Sequence, residues 1–140
     1  MSVAIDIDEA SKGRLWAGRV LSGIAVLFLL FDATIHFLRP EPVVKGFAAL
    51  GYPISVSVPL AIIEFVCVVL YLIPRSSIFG AVLLTGYLGG AIAAQLRVGA
   101  PLFSTLLFPI YVALFLWGGL YLRDPLVRTV LPLRWGRRSD

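Results

Sequence analysis

From Leu15 to Leu38 the chain is almost unbroken in apolar side chains, and comparable runs recur over residues 54–73, 78–96 and 102–122. Each run is close to the roughly 20 residues that cross the hydrocarbon core of a bilayer as a helix. Four such runs on short connections predict an all-α fold, a transmembrane four-helix up-down bundle occupying residues 15–123 as one domain. Composition agrees: 59% of the 140 residues are hydrophobic, against about 45–50% apolar in an ordinary soluble domain. Mean hydropathy is +0.94. Residues 1–14, with Asp6, Asp8, Glu9 and Lys12, read as a short, poorly ordered tail, and residues 124–140 as a basic one. A cleavable signal peptide does not fit, because the first fifteen residues are polar and the run after them is too long.

The connections carry their own signals. Between Pro40 and Pro53, Val43, Val44, Phe47 and Leu50 recur at helical spacing with Glu41 and Lys45 among them, and Gly51 follows. This predicts a short amphipathic helix at the membrane surface between spans one and two; an irregular loop is the alternative. Pro74-Arg75-Ser76-Ser77 and Arg97-Val98-Gly99-Ala100-Pro101 read as turns, and Pro109 predicts a kink in the fourth span. The third span is rich in glycine and alanine. Its Gly86 and Gly90 form a GxxxG pair, which predicts close helix approach and a central place in the bundle.

Charge speaks to orientation and to partners. The formal net charge is +4, but the basic residues flank apolar runs, which is how membrane proteins are charged, so no nucleic-acid partner is expected. Lys12, Arg14, Arg19, Arg75, Arg123, Arg128, Arg134, Arg137 and Arg138 put nine positive charges on the side shared by the termini. Arg39, Lys45 and Arg97 put three on the other, which predicts that both termini are cytoplasmic. Trp16, Trp117, Tyr121 and Trp135 suit an aromatic belt at that surface. The single Cys67 excludes an intramolecular disulfide, a CxxC pair and a cysteine zinc site. With one histidine in the chain, no metal site is assigned, and haem would need a symmetric oligomer or ligands from elsewhere. No cofactor motif is visible.

The polar residues inside the runs are few. Asp32 and His36 lie four apart, one helical turn on one face, and Glu64 sits near the middle of the second run. Ionisable groups inside a span cost at least about 2.5–3.5 kcal/mol on insertion scales, so they call for a reason. With alternating span direction, Asp32, His36, Glu64, Gln95 and Arg97 reach one depth in the outer half, opposite Ser104 and Thr105. Asp32, His36 and Glu64 are therefore the acid–base candidates, and Gln95, Arg97, Thr85 and Tyr87 the ligand-binding ones. A carboxylate one turn from a histidine can fix its tautomer, and a second carboxylate can serve as acid to the histidine's base. That suits isomerisation or epoxide opening on a lipophilic substrate, and equally hydrogen bonds to a quinone. Structural readings stand beside these: paired charges that fix helix packing, snorkelling for Gln95 and Arg97, and helix packing for Thr85 and Tyr87.

The stretch from Ile73-Pro74-Arg75-Ser76-Ser77 through Gly80, Thr85-Gly86-Tyr87 and Gly89-Gly90-Ala91 resembles the DoxX-like membrane proteins. So do Leu50-Gly51-Tyr52-Pro53, Glu64, and Trp117-Gly118-Gly119-Leu120-Tyr121-Leu122-Arg123-Asp124-Pro125, covering roughly Trp16 to Pro132. The resemblance implies a four-helix integral protein of the bacterial plasma membrane. Relatives are linked to thiosulfate and quinone oxidoreduction, to redox partners in oxidative-stress complexes, or to receptor assembly. No family catalytic motif maps onto these residues. Three readings follow. One is a protein that holds a quinone- or isoprenoid-like molecule in an outer-half pocket, its redox version a membrane subunit with a partner protein. The second is a scaffold or assembly factor, and the third a stand-alone membrane isomerase or hydrolase. A homo-oligomer through the glycine-rich helix stays open.

Overall fold

The computed structural model describes residues 2–133, with side chains from residue 11 onward. Arg134, Trp135, Arg137 and Arg138 lie outside the described residues. Helix α1 runs Ser2–Leu38, α2 Glu41–Ala49, α3 Ser57–Leu72, α4 Ser77–Arg97, α5 Phe108–Arg123 and α6 Pro125–Val130. A 3₁₀ turn at Ile54–Val56 leads into α3, and a π-helical turn at Leu102–Leu106 leads into α5. Four segments are long and apolar enough to cross a membrane: Ser11–Leu38, Ile54–Leu72, Ser77–Arg97 and Leu102–Arg123. Helices suit that setting because each satisfies its own backbone polar groups where no water can.

The four long helices form a ring in which α1 and α4 each pack against both α3 and α5. Contacts at the two ends establish the up-down order. At one end Ser22 of α1 meets Tyr71 near the end of α3, and Arg123 at the end of α5 reaches Ser22. At the other end Ser57, which opens α3, donates to the His36 carbonyl in the last turn of α1. The outward faces are apolar, with Trp16, Leu27, Phe31, Phe79, Leu114 and Leu126 each more than half exposed. Apolar surface on that scale belongs against lipid. This is a multi-pass membrane protein.

Four sequence expectations change. The N-terminal stretch is not a tail: α1 begins at Ser2 and extends the first span as one helix. The C-terminal stretch is helical in its first part, where the Asp124 side chain accepts from Leu126 N and caps α6. The irregularity in the fourth span precedes Pro109: bonds from Leu106 N to Pro101 O and from Leu107 N to Leu102 O make the wide turn. Pro109 itself sits in the first turn of α5, where a missing N–H costs little.

The fourth change concerns the glycines. A Cβ added at Gly86, Gly89 or Gly90 would meet nothing within 4 Å, so the GxxxG pair is not a packing seam within the chain, and α4 is one side of the ring rather than its centre. The tight approaches lie elsewhere. A Cβ at Gly119 would stand 2.7 Å from Ser22 N, one at Gly18 2.8 Å from the Gly119 carbonyl, and one at Gly80 2.7 Å from Tyr71 Cα. These are the α1–α5 and α3–α4 contacts at the end where the chain termini lie.

α2 is a helix, as its spacing predicts, and Glu41 and Lys45 pair at 2.6 Å on its exposed face. Its buried residue is Phe47, whose ring meets His36 edge-on at 5.5 Å. Arg39 ends α1 with a left-handed φ of 51° while its N–H bonds the Ile35 carbonyl. The helix stops there because Arg39 precedes Pro40, which bars the right-handed conformation.

Candidate functional site

On α3 the buried positions Ser57, Ala61, Glu64, Val68 and Tyr71 follow one stripe at three- and four-residue steps. That stripe faces the interior of the ring, so the glutamate is carried inward by the apolar and hydroxyl residues above and below it. Glu64 is fully buried. On α1 the inward stripe includes Ser22, Ala25, Leu29 and Ala33, with Asp32 and His36 flanking it, their side chains 29% and 17% exposed.

These residues meet in a cavity of about 660 Å³ in the half of the bundle distant from the termini. Asp32, His36, Glu64, Tyr87, Gln95, Ser104 and Thr105 supply its polar lining. Phe28, Phe47, Tyr52, Leu60, Phe108 and Val112 supply apolar walls, and Gly86 and Gly90 complete one side with bare, exposed backbone. Among the described residues no lysine or arginine lines it.

The hydrogen bonds are specific. His36 Nδ1 lies 2.8 Å from the Asp32 carbonyl and 3.2 Å from Asp32 Oδ2. A carbonyl only accepts, so Nδ1 carries a proton, and in the neutral ring Nε2 is then the lone-pair atom. Tyr87 donates its hydroxyl to Glu64 Oε2 at 3.2 Å. Glu64 Oε1 is buried with no partner among the described residues. A buried polar atom left this way is costly in an apolar setting and calls for an occupant or a proton. Chemically, the floor has a carboxylate, an imidazole lone pair and a phenol–carboxyl pair: groups that can accept from, or exchange protons with, an oxygenated head group.

Not every candidate sits there. Thr85 does not line the cavity; it donates to the Ala81 carbonyl and accepts from Trp117 Nε1 at 2.8 Å, a helix-packing contact. Arg97 also stands outside the lining: it donates to the Leu50 carbonyl and lies 5.9 Å over the Tyr52 ring. It holds two residues that do line the cavity. Phe28, Phe47, Tyr52 and Phe108 escaped the sequence reading because apolar residues in spans look alike; only the periodicity around Pro40–Pro53 hinted at Phe47. At the opposite end Ser22, Tyr71 and Arg123 form a second polar knot. Tyr71 donates to the Leu116 carbonyl at 2.7 Å, and the Arg123 guanidinium lies 5.2 Å over its ring. Every group there has a partner, so it reads as helix fastening.

A sequence profile of the DoxX-like family matches residues 20–119, which takes in Asp32, His36, Glu64, Tyr87 and Gln95. Neither a curated protein nor a solved structure matches the chain.

Proposed function

The chain belongs to the DoxX-like family, and from that premise we propose that it binds a lipophilic small molecule, quinone- or isoprenoid-like, with an oxygenated head group on the cavity floor. The observation that carries this reading is the cavity itself: about 660 Å³, mostly apolar and aromatic, with Asp32, His36, Glu64, Tyr87 and Gln95 among its lining residues. Ligand sites commonly have about 300–1,000 Å³, mostly apolar walls and a few placed polar groups. In this reading the unpartnered Glu64 Oε1 accepts from a ligand hydroxyl, such as that of a quinol or prenol, while Asp32 and His36 act as its hydrogen-bonding or acid–base pair. Gln95 orients the head group. The exposed Gly86 and Gly90 wall is the side entry from lipid. In this reading the termini are cytoplasmic and the cavity lies in the outer half of the inner membrane, an orientation supported by the excess of positive charge beside the termini. As part of a redox system the protein would present the bound quinone to a partner.

The test is native mass spectrometry with lipid extraction on wild type, Asp32→Asn and Glu64→Gln, each purified in mild detergent. The expected result is one lipophilic molecule enriched with wild type and lost from variants that keep their melting profile. Identical bulk lipids from all three would overturn the ligand reading. Early melting of both variants, with no enriched molecule on wild type, would favour a scaffold whose charges serve packing.

A further inference from the structure

The floor of the cavity has a property that a lipophilic ligand does not exhaust. One donor atom from each of Asp32, His36 and Glu64 lies within 4.8 Å of the other two, the set coming from two facing helices. Two of the three are carboxyl groups, and no cationic side chain among the lining residues offsets them. Glu64 is fully buried, and its Oε1 has no partner among the described residues although the residue lines the cavity. The imidazole is oriented as well: its Nδ1 lies 2.8 Å from the Asp32 carbonyl, so in the neutral ring Nε2 is the lone-pair atom. A ring N–H fixed by a backbone carbonyl or carboxylate is the usual outer support of a metal-bound histidine.

We propose that Asp32, His36 and Glu64 form a binding site for one divalent transition-metal ion. The donor set decides the class of ion. One imidazole with two carboxylates favours Zn²⁺, Mn²⁺ or Fe²⁺, whereas Mg²⁺ and Ca²⁺ prefer oxygen donors alone. The charges of the two carboxylates balance the ion, which matters inside an apolar bundle. Zinc ligands at about 2.0–2.2 Å stand roughly 3–3.6 Å apart in a tetrahedron, so the three donors must draw in by about an ångström. The partly exposed Asp32 side chain can do this by rotamer adjustment, leaving the His36 Nδ1–H bond to the Asp32 carbonyl in place. Tyr87, already bonded to Glu64 Oε2, fixes the glutamate from the far side. Three protein ligands leave an open position towards the apolar part of the cavity. The sequence assigns no metal to a lone histidine; in this proposal a carboxylate 28 positions further on joins it through the α1–α3 contact.

The metal ion and the head group of the proposed lipid call on the same three side chains, so the test uses delipidated protein. Untagged full-length wild type in detergent, stripped with chelator, is titrated with Zn²⁺ and Mn²⁺ by calorimetry, and with Co²⁺ by visible absorption. The expected result is about one equivalent of Zn²⁺ bound, a Co²⁺ ligand-field band, and at least tenfold weaker binding in His36→Gln and in Asp32→Asn. Glu64→Gln is a third variant, used if its melt matches wild type. Wild-type binding no tighter than that of His36→Gln, or no Co²⁺ band, would overturn the proposal and leave a proton shared between Asp32 and Glu64 as the way the pair is neutralised. Metal binding with no enriched lipid would retain this site while removing the ligand reading, and the reverse result would do the opposite.

Discussion

Tyr87 and Thr85 lie two positions apart on α4, yet they belong to different structures. Tyr87 faces Glu64 across the cavity, while Thr85 serves Trp117. Tyr87→Phe is therefore expected to strip from a buried carboxyl the donor it has among the described residues, with a cost of about 1–3 kcal/mol in a detergent melt and loss of the retained ligand. Thr85→Val removes a bond to the Ala81 carbonyl within α4 and one between helices, from Trp117, at an exposed position, and hydrogen bonds between membrane helices average about 0.6 kcal/mol. Its expected melt is close to wild type and its ligand retention unchanged. Equal effects of the two substitutions on ligand retention would contradict the division. The distinction is a matter of helical phase. Both residues were visible as candidates, but which one turns inward depends on the rotation of α4 about its own axis, and its nearly uniform small and apolar residues do not announce that.

At the scale of elements, glycines mark two opposite conditions: contact so close that no Cβ fits, and open space. Gly80→Leu is expected to destabilise α3–α4 packing by about 1–3 kcal/mol or more, since any Cβ meets the Tyr71 backbone. Gly86→Leu is expected to leave the melt unchanged or raise it by up to about 1 kcal/mol, as glycine is the poorer helix former. It should nevertheless lower ligand retention, because the new side chain can fill the entry. Melting curves paired with lipid extraction on the two variants check this, and a Gly86→Leu protein that melts early would show that the glycine is a packing residue after all. The four spans and the turns between them were readable from hydropathy and turn residues, whereas the start of α1 at Ser2 and helix α6 were not. Which glycines touch was not, since GxxxG states only that close approach is permitted, and here the approaches fall at Gly18, Gly80 and Gly119.

For the whole molecule the open quantity is its orientation. The nine-to-three division of positive charge predicts that Ser11 faces the cytoplasm and Ala100 the outside. Cys67 is buried and free, so single cysteines introduced as Ser11→Cys and Ala100→Cys can be read over a low background. In intact cells a membrane-impermeant maleimide is expected to label Ala100→Cys and not Ser11→Cys; the reverse pattern would invert the bundle and move the cavity to the cytoplasmic half.

Class, span count and the short helix between spans one and two followed from the sequence alone, because apolar run length and periodicity are local quantities that backbone hydrogen bonding in lipid turns directly into helices. The proximity of Asp32 to His36 was equally local, one turn on one helix. The convergence of Glu64, Tyr87 and Gln95 on that pair, the exclusion of Thr85 and Arg97 from the cavity, and its aromatic walls depended on how four helices rotate and pack. Those rotations are set by a few contacts between distant residues, such as Gly18 on Gly119, Gly80 on Tyr71 and Ser57 on His36. Such contacts have no signature in either partner's neighbourhood along the chain.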